Sequence, residues 1–178
     1  MAAWPDLITV TQFRQLAHKD AYRYELRHGE VVAVTRPKAR HWRLQVRLSR
    51  LLERKLQAFG EVGMELPFRP LPEFELMAAD VAAVSRRRFD AIDPDDNLHG
   101  APELVIEVKS PSNTQEYLRE RAAACLANGA LQFWVVDEDK RTVTAIHRDG
   151  SVIVYGIGDT IPLAAFGSDE LPVARIFA

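Results

Sequence analysis

The chain predicts one α/β domain over residues 1–178: a central mixed β-sheet flanked by helices, with an N-terminal helix and β-hairpin. Three observations predict it. Leu104, Val105, Ile106 and Val108 form a short apolar, β-branched run between Pro102 and Pro111, the pattern of a strand buried on both faces. Upstream, Leu44, Leu48, Leu51, Leu52 and Leu56 recur at helical spacing and define a core face. Downstream, a helical segment closed by Gly129 separates the central strand from a second apolar run, Gln132 to Asp137, as in a crossover between strands.

The remaining elements follow in chain order. Thr9-Val-Thr-Gln12 resembles a capping box opening a short helix to about Lys19. Residues 22 to 35 alternate around His28-Gly29 and read as a hairpin ended by Arg36-Pro37. The leucine-striped helix spans about Arg40 to Phe59, with Gly60 as its stop signal. Glu61 to Arg69 is a strand, then come Pro70 and Pro72, then a small-residue strand from Glu75 to Ser85. A polar loop runs from Arg86 to Pro102. Ser112-Asn-Thr-Gln115 has capping-box form and opens a helix to about Asn128. Three strands follow, ending near Tyr155, and the apolar residues of the tail from Ile161 to Ala178 should dock on the body.

Composition narrows the function classes. With 47% hydrophobic and 27% charged residues the chain reads as an ordinary globular protein able to bury a core without staples. The lone Cys125 excludes an internal disulfide framework and a cysteine-rich zinc site, and reads as a core thiol. No signal-peptide pattern and no run of about twenty apolar residues is present, so a soluble, cytoplasmic protein with no membrane partner is expected. A net charge of −2 gives no global attraction to nucleic acid, so any such affinity must be local. Arg40, Arg43, Arg47, Arg50 and Arg54 supply one candidate, a basic stripe on the long helix with only Glu53 to offset it; a solvated face is the alternative reading.

The charges inside apolar strands are the chemical signal. Glu107 and Lys109 lie two apart on the central strand and so should be neighbours on one face, and Asp80 interrupts the small-residue strand between Ala79 and Val81. Burying such charges costs several kcal/mol each unless they are paired or put to use. A half-exposed ion pair contributing at most about 1 kcal/mol is the plain alternative.

An acid on one strand followed by E-x-K on the next resembles the PD-(D/E)XK nuclease superfamily, restriction-endonuclease-like in fold. More narrowly, YELRHGEVVAV, His41 opening the long helix, MAADVAAVS, PELVIEVKSPS and ANGALQFWVVDEDKRTVTAI resemble the ordered blocks of a small single-domain restriction-endonuclease family abundant in cyanobacteria and other bacteria. The resemblance covers nearly the whole chain. It departs in three places. Ala79 stands where the family has the proline of its Pro-Asp. Arg121 and Cys125 stand where relatives tend to have a lysine and an aromatic residue. Tyr117, with Glu116 beside it, occupies the place of a frequent acid.

The resemblance implies a metal-dependent endonuclease that hydrolyses DNA phosphodiesters, with Asp80, Glu107 and Lys109 catalytic. Asp80, Glu107 and the Val108 carbonyl would hold Mg²⁺ or Mn²⁺, a hard cation suited to oxygen ligands. Lys109 would stabilise the attacking hydroxide or the transition-state charge. Glu65, Glu30, His41 and Arg121 form a second tier of candidates, and Arg40, Arg43 and Arg47 are candidate DNA contacts. The three catalytic candidates should converge at one edge of a cleft. A homodimer is expected, because relatives of this size generally associate and the apolar strands near Trp134 and Val152 leave a sheet edge to protect. Two other readings stay open: a non-catalytic nuclease fold serving as a DNA-binding or interaction module, and an RNA or repair nuclease acting with a partner.

Overall fold

The structure, a computed structural model, describes residues 7–16, 23–34, 38–110 and 113–178. Helix α1 (Val10–Arg14) is opened by Thr9, whose Oγ1 accepts from the Gln12 amide at 3.3 Å while Gln12 Oε1 accepts from the Thr9 amide at 2.8 Å. The capping box is therefore as expected, but the helix is shorter, and the expected extension over residues 17–19 lies outside the described residues. Strands β1 (Arg23–Arg27) and β2 (Glu30–Val34) form the expected hairpin. Its two-residue turn uses positive φ at both His28 (48°) and Gly29 (80°), as tight hairpins require.

Helix α2 (Ala39–Leu56) buries Leu44, Leu48, Leu52 and Leu56 against the sheet. Burying each such leucine contributes about 1.5–3 kcal/mol. Gly60 does not stop this helix, which ends at Leu56. It is the first residue of β3 (Gly60–Arg69), and a Cβ there would lie 1.9 Å from the Val84 carbonyl oxygen. Glycine is needed because the backbone of β4 (Met77–Ser85) passes so close.

The stretch after β4 is not all loop. It holds a helical turn, α3 (Arg86–Phe89), and a two-residue strand, β5 (Leu98–His99). Strand β6 (Leu104–Val108) is buried along its whole length. Helix α4 (Gln115–Ala127) starts two residues later than the capping pattern suggested. Thr114 is its N-cap, its Oγ1 accepting from the Tyr117 amide at 3.1 Å, and Ser112 lies outside the described residues. The helix carries the chain to β7 (Gln132–Asp137), parallel to β6, since parallel neighbours need a long crossover. Strands β8 (Thr142–His147) and β9 (Val152–Tyr155) continue antiparallel. A small sheet of β10 (Thr160–Pro162) and β11 (Glu170–Pro172), a 3₁₀ turn at Ala164–Phe166 and α5 (Val173–Ile176) complete the chain.

Among the described residues the main sheet has seven strands in the order β5-β3-β4-β6-β7-β8-β9, with parallel pairs at β5–β3 and β6–β7. One face packs on α2 and the tail, through Val81, Leu104, Ile106, Trp134, Phe166 and Ile176. The other packs on α4, through Phe68, Ala79, Val105, Ala122, Cys125 and Phe133. The core is thus a two-sided layer with β6 in its middle, which is why that strand reads as nearly continuous apolar sequence.

Candidate active site

Both β3 and β4 change faces at one point. On β4, Met77 and Ala79 belong to the α4-side core whereas Val81 and Ala83 belong to the α2 side, although regular alternation would keep all four together. On β3, Val62 packs on the α2 side and Leu66 and Phe68 on the other. The crossover falls at Glu65 and Asp80, which face each other in the β3–β4 register between the pairs Met64↔Val81 and Leu66↔Ala79. Glu65 has φ of +57°, a strained conformation for a residue with a Cβ. Such strain persists only where surrounding contacts hold it.

Those contacts come from α2. Gln45 Nε2 donates to Glu65 Oε1 at 2.9 Å and to Asp80 Oδ1 at 2.8 Å, bridging the two acids. Arg23 of β1 pairs with the other Glu65 oxygen. His41, one helical turn before Gln45, places Nε2 3.1 Å from Asp80 Oδ2. Burial opposes charge on this imidazole, but its hydrogen bond to Asp80 and the nearby acids raise its pKa above the usual histidine value. Asp80 Oδ2 also accepts from the Val108 amide at 2.7 Å. The β4–β6 ladder runs from Ala83↔Leu104 to Val81↔Ile106, and the next step would oppose Asp80 to Glu107. There the ladder ends and the Asp80 side chain takes over the strand's amide.

Glu107, 6% exposed, turns toward α4. Its Oε1 accepts from Arg121 Nε at 3.0 Å. The same guanidinium donates to Glu25 Oε2 at 3.2 Å and to the Ala78 carbonyl at 2.5 Å, so one buried arginine serves two carboxylates. Glu25 has further help from Arg27 and from the Ala78 amide. Burial would raise its pKa, but Arg121 and Arg27 bring it below the usual carboxylate value. Glu107 is left short of positive charge. Burial pushes it up to about 8, Arg121 opposes the shift, and the charges of Asp80 and Glu25 add to it. The field of Asp80 at Glu107 marks the two acids as electrostatic neighbours, although α2 holds one and α4 holds the other.

Lys109 does not pair with Glu107 as their spacing suggested. It lies just past the end of β6, its side chain 36% exposed, with Nζ 2.9 Å from Asp137 Oδ2. The reason is the parallel neighbour: β7 ends at Asp137 beside it, while Arg121 already occupies Glu107. The Asp137 carboxyl, which burial would raise, is held below its usual value by that lysine. Asp80 and the Glu107–Lys109 segment therefore meet at one end of the sheet, but each charged side chain has its own partner there.

The second tier divides. His41, Glu65 and Arg121 are drawn to this end of the sheet. Glu30 is exposed on β2, and its side chain makes no ion pair or hydrogen bond among the described residues. Of the candidate nucleic-acid contacts, Arg40 is engaged by Glu138 and Asp139, each at 2.7 Å, and Arg47 donates to the Ile176 carbonyl at 3.2 Å. Arg43 is exposed and has no partner among the described residues. Sequence reasoning missed Gln45, Glu25 and Arg23. Gln45 had a signal, a polar residue four after His41 on the leucine face of α2. Glu25 and Arg23, distant in sequence on a hairpin, had none.

Asp80, Glu107 and the Val108 carbonyl would offer hard oxygen donors, the type that Mg²⁺ takes together with water. Among the described residues, no group of three or more His, Cys, Asp and Glu side chains is drawn together tightly enough to hold a metal by itself. Also among the described residues, no helix is long and apolar enough to cross a membrane.

Comparison with known proteins adds two findings. The family model Uma2, described as "Putative restriction endonuclease", matches residues 10–174. A crystal structure of a putative nuclease belonging to DUF820 from Anabaena variabilis is similar in fold, with a TM-score of 0.79 at 19% identity, over 96% of this chain and 97% of that one. No curated protein matches.

Proposed function

The chain belongs to the putative restriction endonuclease family, and from that premise we propose that it is a metal-dependent endonuclease hydrolysing DNA phosphodiesters at the Asp80–Glu107 end of the sheet. The observation that carries the reading is the 2.7 Å hydrogen bond from the Val108 amide to Asp80, which brings the acid of one strand against the E-x-K of the next.

Asp80, Glu107 and the Val108 carbonyl would hold Mg²⁺ or Mn²⁺, and the raised pKa of Glu107 fits a carboxyl short of a cation. Bound there, the ion would polarise the phosphate and lower the pKa of a coordinated water. The chain's own groups do the rest. His41 and Gln45 fix the rotamer of Asp80, and Gln45 ties Glu65 to it. Arg121 anchors Glu107 from behind. Lys109 is a point charge on an exposed stem; moved off Asp137, it would support charge building on the phosphoryl oxygens.

The test is cleavage of plasmid and of single-stranded DNA with Mg²⁺ or Mn²⁺ by the wild-type protein and by Asp80→Ala. Cleavage by the first and not the second is expected. One observation favours a second reading, a non-catalytic module: Glu107 and Lys109 each have an ion-pair partner within the chain, Arg121 and Asp137. In that case neither protein cuts.

A homodimer through the free edge of β9 is part of the proposal. Val152 and Val154 are 59% and 60% exposed on this edge strand, and Ile153 is also exposed. An antiparallel copy of the same strand would cover them. Trp134, by contrast, is fully buried and contributes nothing to that surface. Light scattering at micromolar concentration checks it, and a monomer there rules it out.

A further inference from the structure

The outer face of α2 carries a groove of about 420 Å³, lined by Trp42, Arg43, Val46, Arg50, Leu51 and Arg54 among others. Trp42 is 54% exposed, the sort of apolar area a folded chain normally hides. Arg43, Arg50 and Arg54 have no hydrogen-bond or ion-pair partner among the described residues. The helix's one acid, Glu53, accepts from Ser49 Oγ at 2.9 Å and does not line the groove. The face is therefore positive in a chain whose net charge is −2.

We propose that this groove binds single-stranded nucleic acid, with a base stacked on Trp42 and phosphates on Arg43, Arg50 and Arg54, guiding the strand toward Asp80. The proposal deepens the nuclease reading and rests on it only for the destination of the strand. Three features select this occupant. Arginines a turn or two apart lie about 6–10 Å apart along the axis, a ladder that a polyanion can follow. An exposed indole with Val46, one turn further along, beside it offers a surface to a base face, which a duplex keeps inside its stack. Finally, Trp42 directly follows His41, whose ring is 3.1 Å from Asp80, so the groove begins on the same turn of α2 as the candidate active site, around the helix from it. A second copy docked face to face would set arginine against arginine, which disfavours self-association here.

The experiment titrates a fluorescein-labelled dT oligonucleotide, and a duplex of equal length, into the full chain in EDTA. In EDTA, binding is read apart from cleavage. The single strand should bind more tightly than the duplex and quench tryptophan fluorescence. Trp42→Phe should keep most of the affinity and lose the quenching. Trp42→Ala should weaken single-strand binding about tenfold and leave duplex binding nearly unchanged. Arg50→Ala should reduce the magnitude of the salt slope by about 0.7.

Equal affinity for the duplex, or quenching that survives in Trp42→Phe, overturns the proposal. So does competition by polyglutamate as effective as by unlabelled dT, which would mark an acidic-peptide surface, or a dimer that Trp42→Ala dissolves. If dT fails to bind while plasmid is still cut, the groove assignment falls alone. If dT binds as described and no divalent ion supports cleavage, the nuclease reading falls alone.

Discussion

Two sets of arginines lie on the two helices that sandwich the sheet and are used in opposite ways. Arg121, on α4, is almost wholly buried and touches Glu107, Glu25 and the Ala78 carbonyl. Arg43, Arg50 and Arg54, on the outer face of α2, touch nothing charged among the described residues. The buried guanidinium is a structural cation: two acids and a strand end depend on it. The exposed ones cost the fold little and hold no part of it in place. Positive charge thus does two jobs, one in organising the acids and one in offering a surface, and the two separate by mutation.

The largest effect should come from Arg121. Removing it as Arg121→Ala leaves Glu107 and Glu25 buried without their shared partner, and about 3–5 kcal/mol of stability should be lost. Urea denaturation measures this, and a loss under 1 kcal/mol would mean that the two acids find other partners. Next comes Leu52→Ala on the core face of α2, where a fully buried leucine leaves a cavity; about 2–5 kcal/mol is expected in the same assay. Lys109→Ala should leave stability nearly unchanged, since its pair with Asp137 is partly exposed. Turnover, on the proposed mechanism, should fall by orders of magnitude while cation binding persists. Smallest is Arg43→Ala: stability within about 0.5 kcal/mol of wild type, with weaker and less salt-dependent nucleic-acid binding. A destabilisation as large as that of Arg121→Ala would erase the contrast between the two sets.

Much of this contrast was legible before the fold was known, because it is written in local pattern. The leucine stripe, the arginines beside it and the apolar strand with its E-x-K depend on periodicities of 3.6 and 2, which a sequence displays directly. What the sequence hid depends on contacts across the chain. Lys109 was assigned to Glu107 by spacing along one strand, but β7 brings Asp137 alongside and α4 brings Arg121. The paired change of face at Glu65 and Asp80 has no local signal, since a positive φ at a glutamate is not encoded in its residue type. Gly60 looked like a helix stop, whereas its absent side chain serves the approach of β4. The capping-box pattern pointed to Ser112, whereas the observed cap of α4 is Thr114. The family's blocks supplied the expected fold, and the similar solved structure agrees with it.

The central claim is that Asp80 and Glu107 are a cation site rather than a polar cluster closed by Arg121. Calorimetric titration of Mn²⁺ into wild type and Glu107→Gln, with and without bound DNA, tests it most directly. Gln retains the shape and can still accept from Arg121, so the variant should fold. The account expects saturable Mn²⁺ binding by the wild type and its loss in Glu107→Gln. Equal heats from the two proteins, or no binding by the wild type even with DNA present, would contradict it.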